Sequence, residues 1–198
     1  MNTFFTYEDH LELINQCINE QPSKIVITSF GLYGGITYTG DDTKPWGQHY
    51  HLHTRDYLDK LNNFTDVDII IGSAPYKSCK GNLECLHCEK QYCKNLLRII
   101  NHAEFFSNIK WKISFDLHIR ANLFYFEKGT KCIMSGRNLT DSPWIDFSVL
   151  LVDSDCNSII KQVDDINANS QMITADILPS ILETQNISKM GFESLIND

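Results

Sequence analysis

A chain of 198 residues with 42% hydrophobic and 21% charged side chains is long enough to bury one core, and its composition excludes a disordered polymer. The net charge of −8, from 25 acidic and 17 basic residues, excludes uniform electrostatic coating of nucleic acid or anionic lipid but permits a local basic cleft. No apolar run reaches the roughly 18 residues of a membrane span, and Met1 to Asp9 lacks the features of a secretory leader. A soluble, cytoplasmic protein in a reducing compartment is therefore expected, with no membrane partner.

In chain order, Thr6-Tyr7-Glu8-Asp9 is similar to a capping box, with Asp in place of the usual Glu or Gln. Leu11, Ile14 and Ile18 then recur at helical spacing, and Pro22 ends the helix. The β-branched run Lys24 to Phe30 predicts a buried strand, followed by a glycine-rich polar loop with Gly31, Gly34 and Gly35. A short helix is expected over Arg55 to Asn62, with Tyr57, Leu58 and Leu61 inward, and the next strand over Val67 to Gly72.

After the cysteine-dense stretch, a helix carries Leu96, Leu97, Ile99, Ile100, Phe105 and Phe106. Strand-like runs follow at Lys110 to Phe115, Ile119 to Phe126 and Lys131 to Met134, the last two joined by the turn Glu127-Lys128-Gly129-Thr130. Phe147 to Val152 reads as another strand, and the tail from Asn157 as helical. Alternating strands and helices predict an α/β sandwich on a mixed sheet, a single domain over 1–198.

Cys79, Cys85, Cys88 and Cys93 lie within fifteen residues, and Cys85-Leu86-His87-Cys88 is a CxxC. Thiolates spaced this closely can surround a tetrahedral Zn²⁺, with His87 able to replace one sulfur. The alternatives are disulfides, which fit a reducing compartment poorly, or buried free thiols. The expectation is a small structural zinc-knuckle insertion over 77–95, with four sulfur ligands and no open position for catalysis. Cys17, Cys132 and Cys156 read as buried small side chains.

Gln48 to Arg55 holds His49, His51 and His53, which share one face of an extended segment and suit a metal, a substrate or a plain exposed loop. Trp46, Tyr50 and Tyr33 are of the type that stacks on unpaired bases.

The densest chemical signal is Asp116-Leu117-His118-Ile119-Arg120, then Ser135-Gly136-Arg137-Asn138-Leu139-Thr140 and Trp144-Ile145-Asp146. A histidine is a competent nucleophile toward phosphorus, and a guanidinium with an amide can hold charged oxygens. Lys110, Lys112, Arg120, Lys128, Lys131 and Arg137 crowd this part of the sequence, whereas acidic residues crowd the C-terminal part.

From Lys24 to about Val152 the chain resembles the phospholipase D superfamily, and its single-motif nuclease branch in particular. The residues that carry the resemblance are His118, Arg120, Ser135-Gly136-Arg137-Asn138 and Asp146. Arg120 stands where that family has lysine, Tyr125 where it has an aspartate (with Glu127 two residues on), and Ser135-Gly136 inverts its usual Gly-Ser order.

The resemblance implies a phospholipase D-like mixed sheet flanked by helices and a hydrolase that needs no catalytic metal. Its catalytic residues would be His118, Arg120, Ser135, Asn138 and Asp146, with substrate contacts from Arg137, Lys131 and His53. One His118 would attack phosphorus and a second histidine would protonate the leaving oxygen. Because the chain holds one motif, the second histidine would come from a homodimer partner across a two-fold axis. DNA, including single-stranded DNA, is the expected substrate, with a phage or defence-related setting. The alternatives are a catalytically silent nucleic-acid-binding or interaction protein on the same fold, or a hydrolase of phospholipid or another phosphodiester.

Overall fold

The computed structural model describes residues 2–4, 7–29, 56–72, 99–114 apart from 101 and 104, 117, 119–136 and 148–174. Among them, eight strands form one mixed sheet: β1 (Asn2–Phe4), β2 (Lys24–Ser29), β3 (Val67–Gly72), β4 (Ile109–Ser114), β5 (Ala121–Tyr125), β6 (Thr130–Ser135), β7 (Ser148–Val152) and β8 (Gln171–Met172). Their spatial order is β1-β7-β6-β5-β2-β3-β4-β8. β2, β3 and β4 run parallel, and every other pairing is antiparallel.

The central strands are buried on both faces, which explains the apolar runs Ile25 to Ile27 and Ile69 to Ile71. Every residue of β3 is buried, and all of β2 except Lys24. Each parallel step, β2 to β3 and β3 to β4, moves the same way across the sheet, and right-handed crossovers would put the described residues that lead into β3 and β4 on one face. The packing agrees. Leu58 and Leu61 from the helical segment 56–61, and Ile99 and Phe106 from the residues before β4, share one core with Ile25, Ile69 and Trp111. The first helix (Tyr7–Asn19) covers the same face with Leu13, Ile14, Cys17 and Ile18, a stripe repeating at helical spacing.

The opposite face is covered by the helix Asn157–Ala168, whose Ile159 and Val163 pack on Val26, Leu123 and Cys132. An ion pair between half-buried Lys112 and buried Asp68, bonded by Asn167, ties that helix to the sheet. Lys112 Nζ lies 3.0 Å from Asp68 Oδ1 and donates to Asn167 Oδ1 at 2.6 Å, while the Asn167 amide donates to Asp68 Oδ2 at 3.3 Å. No described helix is long and apolar enough to cross a membrane.

The expected strands all form, with bounds shifted by a residue or two. The β5–β6 hairpin turns where expected, and Phe126 N–H donates to the Gly129 carbonyl at 3.0 Å. Gly129 has φ +93°, and a Cβ there would meet Asp153 Oδ1 at 2.0 Å, so this corner requires glycine. Cys17, Cys132 and Cys156 are buried free thiols, as their isolation in the sequence suggested. β1 and β8 were not legible in the sequence. The knuckle at 77–95, the capping residue Thr6, the loop histidines and the segment beyond residue 174 lie outside the described residues.

Candidate active-site edge of the sheet

Five strands, β1, β2, β3, β4 and β6, end at one edge of the sheet, and β5, β7 and β8 begin there. For the parallel strands this is the carboxyl edge, where open α/β sheets bind their ligands.

Arg120 lies at this edge, one residue before β5. The last register pairs are Thr28↔Ala121 and Ala121↔Met134, and one step further the Ser135 N–H donates to the Arg120 carbonyl at 3.4 Å. The hairpin therefore brings together two parts of the motif that stand fifteen positions apart. Continued by one residue, the β2–β5 register sets Arg120 beside Ser29, and Ser135 pairs in turn with Ser148 on β7. Ser29, Arg120, Ser135 and Ser148 thus form a polar row across neighbouring strands, spanning roughly 14 Å at strand spacing.

Side-chain alternation assigns the face of this row. Leu117, Ile119 and Ala121 all belong to the core under the helix Asn157–Ala168. Arg120 takes the opposite parity, the one shared by Phe124, Ile25 and Ile133 in the core beneath the first helix. Arg120 is half-buried, and Ser29 and Ser148 are buried.

The backbone around Arg120 is fixed by a side chain. Thr28 Oγ1, buried, accepts the Ala121 N–H at 3.0 Å, so a hydroxyl completes the ladder at the place where β5 begins. The helical layer contributes two further polar contacts nearby. His10 Nδ1 and Ser148 Oγ share a buried hydrogen bond of 2.7 Å, and the Tyr57 hydroxyl donates to Asn122 Oδ1 at 3.3 Å. Asn122 lies one row inward from Arg120 on the same face. Burial pushes the Tyr57 hydroxyl far above its usual range, so it acts as a neutral donor.

The predicted site residues divide accordingly. Arg120 and Ser135 are brought side by side. Lys131 is on the same strand as Ser135 but at its other end, roughly 14 Å away by strand rise. Its Nζ is held by both Glu20 carboxylate oxygens, at 2.6 and 2.7 Å, so it does not join the row. His118, Arg137, Asn138, Asp146 and His53, and the proposed zinc ligands Cys79, Cys85, Cys88 and Cys93, lie outside the described residues.

The basic crowding seen in the sequence also disperses on folding. Lys110 pairs with Asp66 at 2.8 Å, Lys112 with Asp68 on the far face, and Lys131 with Glu20. Among the described residues of that group, Arg120 is the cation at the edge.

His10, Ser29 and Ser148 were missed by sequence reasoning. His10 had a visible signal: it precedes Leu13 and Ile14 by three and four residues, on the buried stripe of an amphipathic helix. Ser29 and Ser148 had none, since serine at a strand end is commonplace.

These elements define an α/β protein with a mixed sheet, helices on both faces and a polar row at the carboxyl edge. No protein-family model matches the sequence, and no curated protein sequence matches it. Among solved structures, the chain is similar to phosphatidylserine synthase of Haemophilus influenzae Rd KW20, with TM-score 0.47 and 12% identity over 86% of this chain and 39% of that one. It is also similar to TrmBL2, an archaeal chromatin protein with a novel mode of DNA binding, with TM-score 0.39 and 8% identity over 86% of this chain and 55% of that one. The chain therefore spans less than two thirds of the length of either structure, and at these scores neither likeness assigns a family.

Proposed function

We propose that this chain is a phospholipase D-like phosphodiesterase, acting as a metal-independent DNA endonuclease at a site shared between two copies. The observation that carries the reading is the pairing of Arg120 with Ser135 at the carboxyl edge, which supports the two sequence segments acting together.

In this mechanism His118 attacks phosphorus, the bond to the leaving oxygen breaks, and His118 of a second copy supplies the proton. Water then cleaves the phosphohistidine. Arg120 and Asn138 stabilise the equatorial oxygens, Asp146 orients the partnering histidine, and Arg137 contacts the flanking phosphate. Lys131, neutralised by Glu20, is not part of this reading. Zn²⁺ held by Cys79, Cys85, Cys88 and Cys93 has a structural role, and Lys77, Lys80, Lys90 and Lys94 would lend positive charge to DNA binding.

The test is incubation of plasmid and single-stranded DNA with the protein in excess EDTA, beside His118→Ala. Cleavage that persists in EDTA and disappears in the variant is expected. Loss in EDTA while the protein remains folded would remove the phosphohistidine mechanism. DNA binding with no cleavage by either protein would select a silent nucleic-acid-binding protein, and lipid turnover without DNA cleavage a lipid hydrolase. A monomer in sedimentation that still cuts would contradict the shared site.

A further inference from the structure

We propose that His10 is a positioning residue for the Arg120–Ser135 edge, acting through Ser148; the inference rests on the phosphodiesterase reading. His10 is only 7% exposed and Ser148 1%, so the imidazole is too buried to meet a polymeric substrate directly. Its Nδ1 shares a 2.7 Å hydrogen bond with Ser148 Oγ. Ser148 is the register partner of Ser135, whose N–H is bonded to Arg120. The contacts therefore lead from the first helix to Ser148, across the strand register to Ser135, and on to the backbone of Arg120.

Stability alone does not account for this pair. Its neighbours on the helix, Leu13, Ile14, Cys17 and Ile18, are apolar, and a buried polar pair is close to neutral against a well-packed apolar replacement. What a hydrogen bond adds over an apolar contact is direction. It fixes the rotation of the helix and the start of β7 against β6, and a displacement of about 1 Å at a reacting centre can cost on the order of a hundredfold in rate. The second polar contact from the helical layer, Tyr57 to Asn122, falls one row inward from Arg120 on the same face. Both contacts cluster where side-chain placement would matter for the chemistry.

The experiment compares the wild type, the apolar double variant His10→Leu with Ser148→Ala, and His10→Asn, whose amide reaches the position of Nδ1. Hydrolysis of bis(p-nitrophenyl) phosphate and plasmid cleavage are measured alongside thermal unfolding. The double variant is expected to unfold within a few degrees of the wild type, with kcat down by about tenfold to a hundredfold and KM within about twofold. His10→Asn is expected to recover kcat to within about threefold of the wild type. A folded double variant with wild-type kcat overturns the positioning role and leaves the phosphodiesterase reading standing. So does a loss of activity that follows the unfolded fraction alone, or a folded His10→Asn as slow as the double variant. A wild type that turns over neither substrate removes the phosphodiesterase reading and this inference with it.

Discussion

The amide of Ser135 donates to the carbonyl of Arg120, and this one backbone contact joins the two halves of a motif that the sequence keeps fifteen residues apart. Its geometry depends on the β5–β6 hairpin on one side and on Thr28, which accepts the Ala121 N–H, on the other.

Thr28→Val keeps the shape of the side chain and removes the acceptor, leaving a buried N–H without its partner. Urea unfolding is expected to show a loss of about 1–3 kcal/mol, with Thr28→Ser losing less. A valine variant as stable as the wild type would show that the hydroxyl does not complete the ladder.

Lys112→Met strips the cationic partner from Asp68, which is buried under the helix Asn157–Ala168 and keeps only the Asn167 amide. Breaking a buried pair this way costs roughly 3–5 kcal/mol, whereas Asp68→Leu combined with Lys112→Met should return close to wild-type stability. Chemical denaturation of the two variants side by side checks the non-additivity.

For the candidate site, Arg120→Ala is expected to lower kcat/KM by about 10²–10³, as for loss of a group that stabilises transition-state charge. Arg120→Lys should stay within about tenfold of the wild type, because the charge remains while the planar fork is lost. Steady-state kinetics on a phosphodiester would decide, and an alanine variant with full activity would exclude Arg120 from the chemistry.

Zinc held by Cys79, Cys85, Cys88 and Cys93 predicts about one metal ion per chain by elemental analysis. Cys85→Ser with Cys88→Ser should abolish it. Purified protein with no zinc, and free thiols by titration, would return these cysteines to the alternative of unligated side chains.

Alkaline pH should destabilise the fold through its buried thiols. Burial pushes Cys132 up to about 12 and Cys17 up to about 11, the latter opposed in part by Lys131, against an ordinary value of 9.0. Above pH 9 the unfolded chain releases protons that the folded chain keeps. Stability is therefore full below the ordinary value and falls as pH rises toward the folded values. The slope is at most about 1.4 kcal/mol per pH unit for each thiol. Urea midpoints measured on either side of the ordinary thiol value, with Cys132→Ala flattening the decline, would bear this out; an unchanged slope in the variant would exclude that thiol.

By itself, the sequence determined where the main strands lie. The β-branched runs at Ile25 to Ile27 and Ile69 to Ile71 leave little choice, since such residues fit a sheet buried on both faces. It also determined the Gly129 turn and the burial of Cys17, Cys132 and Cys156, because these follow from local backbone chemistry and residue type. β1 and β8 have three and two residues, too few for any periodicity, and exist only because β7 and β4 offer them hydrogen bonds. Charge was the least legible property. Lysines that crowd Arg120 along the chain are drawn off by Asp66, Asp68 and Glu20, which lie 44, 44 and 111 residues away from their partners. The row of Ser29, Arg120, Ser135 and Ser148 was decided by register alone: slipping one strand by a residue would turn that strand's member of the row to the other face.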